Sequence, residues 1–389
     1  MVVYAVGVKM KLFVGIAGLV ILFTTLWDAF ETIILPRRVT RSFRLVRLFY
    51  QVSWAVWSAV NRRLPSAKLR EAHLSYFGPL SLLMLFATWA LALIVAFAML
   101  HWAAGSSLNV PGGIASLRTD LYMSGTTFFT LGMGDVTPRT MLARVITVGE
   151  AGTGFGFLAI VISYLPTLYG AFSQRELNIS LLDARAGSPP TAAELLRRHA
   201  RLRDADVLSQ YLHDWEIWAA QLMESHLSYP ALCYFRSQHD NQSWLAAFTA
   251  VLDVSALMIA YGAGAAKWQA QLTFAISRHA VADLAEVLRV RPVPFVVDRL
   301  PLEDLIKVRS LLMEFGVSKC TESGDLKLME LREMYEPYLN GLSARLLMPL
   351  PSWGVGASFV ENWKRKAWDR ISSESSDPGS PDGKGSGHI

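Results

Sequence analysis

Cysteine and charge are what this chain has least of. Its two cysteines, Cys233 and Cys320, lie far apart in the second half of 389 residues. That number excludes a disulfide framework, offers no ligand spacing for a zinc site, and suits a reduced, cytoplasmic second half. Only 18% of residues are charged against 52% hydrophobic, and mean hydropathy is +0.30, more apolar than a soluble protein of two domains. The formal charge of +5 sits in arginine clusters beside apolar runs, not on a basic face interleaved with base-stacking aromatics. It therefore argues against nucleic acid as a partner and for orientation in a lipid bilayer. The sequence also lacks an internal repeat, an ATP-binding or nucleophile motif, and any kinase, cyclase or response-regulator signature, so an enzyme is not expected.

Long apolar runs are present instead. Leu12 to Leu35 would extend about 36 Å as a helix, enough to cross about 30 Å of hydrocarbon with some tilt. Lys9 and Lys11 precede the run, so a cleaved signal peptide competes with a membrane span. The length of the run and the missing small-x-small cleavage site favour the span. Arg37, Arg38, Arg41, Arg44 and Arg47 follow, and the positive-inside bias puts them in the cytoplasm with the N-terminus outside. Phe43, Val46, Tyr50, Trp54, Trp57 and Val60 then recur at three- or four-residue intervals. This spacing predicts an amphipathic helix on the inner leaflet, with a short transmembrane helix as the alternative. Arg62, Arg63, Lys68 and Arg70 keep the next connection inside, and Pro79 opens a second span, Leu80 to Trp102, running outward. Asn109-Val110-Pro111-Gly112-Gly113 reads as an extracellular turn. A short helix capped by Thr119 or Asp120 runs to Phe129, and Leu142 to Phe172 forms a third span returning inward.

Between the second and third spans lies Thr130-Leu131-Gly132-Met133-Gly134-Asp135. A dehydrating cation needs rings of oxygen ligands, which an extended backbone with carbonyls pointing one way can supply. Glycine at alternate positions permits the φ values such a strand requires. The string alone is weak, because small residues recur in turns. Its place after a short helix and between two spans gives it weight, since irregular backbone at membrane depth survives only where it is buried or lines a cavity.

With that context, residues 78–172 resemble the outer helix, pore helix, filter and inner helix of the two-transmembrane-helix potassium channels of bacterial type, preceded here by an extra span. The resemblance implies an all-α membrane protein with a tetrameric, potassium-channel-like pore domain plus a cytosolic helical domain. It implies that Thr130 offers a hydroxyl and a carbonyl, that Leu131, Gly132 and Met133 offer carbonyls, that Gly134 turns the chain outward, and that Asp135 is the acidic residue at the outer mouth. Pro138 and Arg144 also match family positions. One filter strand cannot surround an ion, so a homotetramer is expected, passing K+ passively with no cofactor and no metal beyond the permeant ion. Met133 stands where the family carries an aromatic braced by pore-helix tryptophans, and the matching pore-helix positions are Tyr122 and Met123. A flexible methionine there would loosen carbonyl geometry, so a weakly selective monovalent cation channel is the alternative, with a non-conducting membrane-anchored sensor behind it.

Gly149, Gly152, Gly154 and Gly156 crowd the third span. Gly154 falls where the family's hinge glycine lies, and the other three suit small-residue packing between helices. Pro166 should kink the helix near Ile162. Glu150 is an intramembrane carboxylate, hence a gating candidate, with Arg144 of an adjacent subunit as its expected partner. Asp28 and Glu31 lie within reach of Arg37 and Arg38 as an interfacial ion pair or, alternatively, a proton sensor. No span carries arginine at every third position, which removes voltage sensing and leaves ligand, pH, stretch and lipid as stimuli, a cytosolic gating ligand among the open partners.

Residues 1–77 thus read as the N-terminal span and interfacial helix, 78–172 as the pore domain, 173–371 as a cytosolic helical domain and 372–389 as a disordered tail. Helices are expected over Ala192–Arg203, Asp206–Leu227, Ser243–Ala260, Ala265–Leu288, Leu302–Phe315 and Leu326–Leu347, with breaks at Pro189-Pro190, Pro230 and Pro292. Leu245 to Tyr261 is apolar enough to raise a further span. Asp253 in mid-run, costing about 3 kcal/mol at a helix centre on insertion scales, makes a buried core helix the better reading. Tyr261-Gly262-Ala263-Gly264-Ala265-Ala266 has a partial dinucleotide-binding form but lacks the preceding strand. His213-Asp214, His226 and His239-Asp240 read as scattered histidines without an accompanying nucleophile.

Overall fold

The computed structural model describes residues 2–35, 44–110, 113–200, 205–239, 241–294, 298–317 and 320–354. Arg37, Arg38, Arg41, Phe43, Pro111-Gly112, Asp240 and the tail over 372–389 lie outside the described residues. The chain divides into two compact units. The first comprises Met1–Gln174 with Gln221–Arg236, and the second Arg175–Ala220 with Ser237–Ile389. Gln221–Arg236, expected among the C-terminal helices, groups instead with the spans.

In the first unit, α1 (Val2–Ile33) lies along α4 (Phe77–Ala103). Two glycines set their separation: a Cβ on Gly15 would sit 3.1 Å from the Ala103 Cβ, and one on Gly18 would sit 3.0 Å from the Ala96 carbonyl oxygen. Small residues let helix backbones approach in a setting where lipid supplies no hydrophobic drive. Much of the apolar surface of α1, including Leu12, Phe13 and Phe23, is exposed.

The amphipathic segment forms α2 (Leu45–Arg62), burying Tyr50 and Trp54 and exposing the apolar stripe Leu48, Val52, Val56 and Val60. Its start is fixed by Asp28 of α1, whose Oδ1 accepts from the Leu45 amide and Oδ2 from the Val46 amide, both at 3.1 Å. Oδ2 also accepts from Trp89 Nε1 of α4 at 3.2 Å. One buried carboxylate therefore joins three helices, favoured by the orphan amides and dipole of a helix start. Glu31 accepts from Trp27 Nε1 at 2.6 Å and faces Arg44 Nε at 3.7 Å. The described partners of Asp28 and Glu31 are thus helix α2, Trp89, Trp27 and Arg44; Arg37 and Arg38, the partners expected from sequence, lie outside the described residues. Residues 67–75, read from sequence as a connection, form α3 (Ala67–Ser75), with the Ser66 hydroxyl accepting from the Leu69 amide.

The pore helix is α5 (Leu117–Phe128). Its N-cap is Ser116, with Thr119 completing a capping box, one turn earlier than Thr119 or Asp120 as cap. Strands β1 (Leu108–Asn109) and β2 (Thr137–Pro138) pair antiparallel, Leu108 opposite Pro138. The third span belongs to α6 (Met141–Ala186), which continues as helix through Pro166.

An aromatic corner completes this unit. After α8 (Ala205–Ser228), the 3₁₀ turn Pro230–Tyr234 stacks Tyr234 on Tyr50 at 5.4 Å, sets Phe235 against Phe172 at 5.5 Å and Tyr229 against Tyr164 at 5.5 Å. It therefore grips α2 and the middle of α6 together. Gly78 makes room for it, since a Cβ there would lie 2.7 Å from the Phe235 ring.

The second unit is built around α9 (Trp244–Tyr261), wrapped by α7 (Ala192–Ala200), α10 (Gly264–Val287) and α12 (Glu322–Leu346), while α11 (Leu302–Phe315) lies against α7. Among the described residues four helical stretches are long and apolar enough to cross a membrane, but 94% of this one is buried. Its Asp253 accepts from the Tyr335 hydroxyl at 2.6 Å and pairs with Arg299, which donates to Glu336 at 3.2 Å; Arg332 Nε donates to Glu336 at 2.9 Å. A buried charge satisfied in this way belongs to a protein core. His213 faces Glu216 at 3.3 Å and His226 lies against the Leu222 carbonyl. No three metal-ligating side chains cluster among the described residues.

Candidate functional site

The segment after α5 has an unusual backbone. φ is +58° at Thr130, +53° at Gly132 and +79° at Gly134, while Leu131 and Met133 are not in the positive region. Left-handed residues at alternate positions turn successive peptide planes the same way. Glycine takes this conformation without strain, whereas for a threonine it costs about 1–3 kcal/mol and persists only where surroundings enforce it.

Those surroundings are the end of the pore helix. The Thr130 amide donates to the Thr127 carbonyl at 3.0 Å, and the Leu131 and Gly132 amides donate to the Thr126 carbonyl at 2.8 and 3.4 Å. The amide edge is thus tied back to α5. Among the described residues no backbone amide donates to the carbonyls of Thr130 to Gly134. Phe129 to Asp135 are all exposed, and the side chains of Leu131 and Met133 are 62% and 67% exposed. An exposed apolar run ending at an acid marks a surface that something else covers.

Tyr122 braces the outer end. Its hydroxyl donates to Asp135 Oδ2 at 3.0 Å and lies 3.2 Å from the Met133 sulfur. Met133, which stands where the resembled family carries an aromatic, thus meets the Tyr122 hydroxyl of α5. Beyond Asp135 the Arg139 amide donates to the Ser107 carbonyl at 2.8 Å, so β1 and β2 tie the end of α4 to the segment that follows Thr130–Asp135.

Behind α5 stands the third span. A Cβ on Gly154 would lie 2.0 Å from the Phe128 carbonyl oxygen and 2.8 Å from its carbon. Two backbones meet there, so Gly154 is required for close approach. Gly149, Gly152 and Gly156, assigned from sequence to packing, have nothing within 4 Å in the single chain. Glu150 is buried, and its described partner within the chain is His101 at the end of α4, Nε2 to Oε2 3.6 Å; Arg144, expected to reach it from an adjacent subunit, is exposed in the single chain. Sequence reading passed over His101 because it ends its span, where a polar residue needs no explanation. Helix α6 runs unbroken through Pro166, where Tyr164, Tyr169 and Phe172 meet the aromatic corner. The corner carried a signal in sequence: the apolar, aromatic run Tyr229 to Phe235 around Pro230, which reads simply as a helix break.

Comparison with known proteins bears on residues 83–169, which match the model of a family described as ion channel. The chain is also similar to the uncharacterized membrane protein YdjJ of Bacillus subtilis, 26% identical over 149 residues. That alignment covers 38% of this chain and 42% of the relative, so the chain spans less than half the length of the curated relative it matches. No solved structure matches. The matched segment runs from within α4, through the exposed Thr130–Asp135 loop, to the lower part of α6. The chain is an all-α, multi-pass membrane protein, of which residues 83–169 resemble an ion-channel family.

Proposed function

We propose that the chain conducts potassium passively across the cell membrane, with no enzymatic activity, through a filter contributed by four copies. In this reading the carbonyls of Thr130, Leu131, Gly132 and Met133, with the Thr130 hydroxyl, replace the ion's water shell. Gly134 turns the chain outward, and Asp135 draws cations to the mouth. The N-terminus lies outside and the helical domain in the cytoplasm.

One observation carries the reading: a backbone left-handed at alternate positions, its amides bound to the pore helix and its carbonyl edge without amide partners. A chain that leaves several carbonyls unpaired at membrane depth needs another source of positive charge for them. The carbonyl end of α5 adds negative dipole in the same place, which favours a cation. The exposed Leu131 and Met133 fit a loop closed by neighbouring copies. Gly154, Pro166 and Glu150 are the gating candidates, on the helix that passes from the pore domain toward the helical domain.

A weakly selective monovalent cation channel is the second reading, favoured by Met133, whose flexible thioether meets Tyr122 at 3.2 Å in place of a rigid ring. Bi-ionic reversal potentials of the reconstituted protein test both. A potassium-side reversal supports the proposal and a reversal near zero the alternative. Absence of current in any cation gradient overturns both and leaves a membrane-anchored sensor.

A further inference from the structure

Behind the pore helix the first unit buries a set of ionisable side chains that ion conduction does not use. His101 and Glu150 are both 0% exposed, as are Asp120 and Ser124 of α5. They come from three helices. His101 ends α4, Asp120 and Ser124 lie one turn apart on α5, and Glu150 is on α6. Asp120 Oδ2 accepts from the Ser106 hydroxyl at 2.6 Å, and His101 faces Glu150 at 3.6 Å, ion-pair range but longer than a hydrogen bond. Ser124 lies next to Glu150 without reaching it. Both ring nitrogens of His101, both carboxyl oxygens of Glu150, Asp120 Oδ1 and Ser124 Oγ have no hydrogen-bond partner among the described residues.

Six unpartnered polar atoms in one buried place are far from what a structural strut requires. The buried ion network around Asp253, by contrast, is linked throughout by direct bonds. The charges also do not balance. Two carboxylates meet one imidazole, so the set is negative in net even with His101 protonated, and a buried unpaired charge costs several kcal/mol. Binding a proton removes that excess. The charged groups that face the set are His101 from α4, Asp120 from α5 and Glu150 from α6; α1, packed along α4, places Lys11 beside Gly105 at the end of that helix.

We infer that His101, Asp120, Ser124 and Glu150 form a buried proton-binding site whose occupancy controls the filter, a role that rests on the conduction reading above. Two of its members sit on the helix that carries Thr130, and Glu150 is one turn from Gly154, where α6 touches Phe128. Protonation changes both the field behind the filter and the pull between α4, α5 and α6.

The test uses the full chain in lipid vesicles, with rubidium flux and infrared difference spectra recorded together from about pH 5 to 8, the window in which an imidazole titrates. The wild type should change flux several-fold along one titration, with a carboxyl C=O band following the same midpoint. Glu150→Gln and His101→Gln should each conduct with a flattened pH profile, and Glu150→Gln should remove or shift the band. Should Glu150→Gln fail to assemble, Asp120→Asn gives the same reading. An unchanged pH profile in these variants, or no titrating carboxyl or imidazole signal in the wild type, overturns the site. No flux at any pH defeats the conduction reading instead, while the infrared titration still decides whether the proton is bound.

Discussion

Gly154→Ala is the perturbation that most sharply separates a packing role from a hinge. An added Cβ would lie 2.0 Å from the Phe128 carbonyl oxygen, whereas real Cβ contacts essentially never fall under 3.0 Å. The pore helix and α6 would therefore have to part by at least 1 Å (3.0 − 2.0). Both sides of the contact are backbone, so no rotamer can relieve it. Overpacking of this kind costs about 1–3 kcal/mol, and the upper end applies here. Since Phe128 is two residues from Thr130, the displacement also reaches the filter. The expected result is a clear fall in the thermal midpoint of the purified protein together with loss of rubidium flux. Gly152→Ala is the control. With nothing within 4 Å, it should keep or slightly raise stability, because alanine gains up to about 1 kcal/mol over glycine in a helix. A Gly154→Ala protein that melts like the wild type and fails only in opening would refute the packing argument and restore the hinge.

Three further outcomes follow from the geometry. Tyr122→Phe removes the hydroxyl that bonds Asp135 at 3.0 Å; it should shift the potassium-to-sodium reversal potential toward sodium while leaving the melting temperature unchanged, and an unaltered reversal potential counts against the brace. Asp253→Ala leaves Arg299 buried without its carboxylate and should destabilise the helical unit by about 3–5 kcal/mol, read as accelerated proteolysis of residues beyond 237; resistance equal to wild type would contradict a core role. Burial, partly opposed by the Leu195 carbonyl and reinforced by Arg185, holds the His199 imidazole below its ordinary 6.5. The unfolded chain then takes up the proton first, so the unit loses stability as pH falls below 6.5 toward the folded value. His199→Gln should abolish that acid limb, and a limb of equal size in the variant would refute the assignment.

The long apolar helices, the short helix before Thr130 and the helical second half were legible because each rests on local pattern: apolar length, turn residues and periodicity. Helix α5 was placed with its end within one residue and its start three or four residues late, missing Ser116 as cap because Thr119 and Asp120 are equally good cap residues and only the capping box distinguishes them. Asp253 was read correctly as a sign of a core helix, because an acid in an apolar run must have a partner somewhere. What sequence did not reveal were the partners themselves. His101 with Glu150, Asp28 with the start of α2, and Tyr234 with Tyr50 are separated by dozens of residues or more, or by a turn that nothing local specifies. The glycines divide the same way: composition shows that the third span tolerates four of them, and only the crossing with Phe128 shows which one a side chain would block.

The measurement that bears most directly on the central claim is rubidium uptake into vesicles containing the purified protein, compared with Gly132→Ala. Gly132 has φ +53° and nothing within 4 Å of an added Cβ, so alanine there stresses the backbone alone, by about 1–2 kcal/mol, without touching the rest of the fold. The account predicts uptake in the wild type and its loss in the variant at unchanged thermal stability. Equal uptake by both proteins would contradict it.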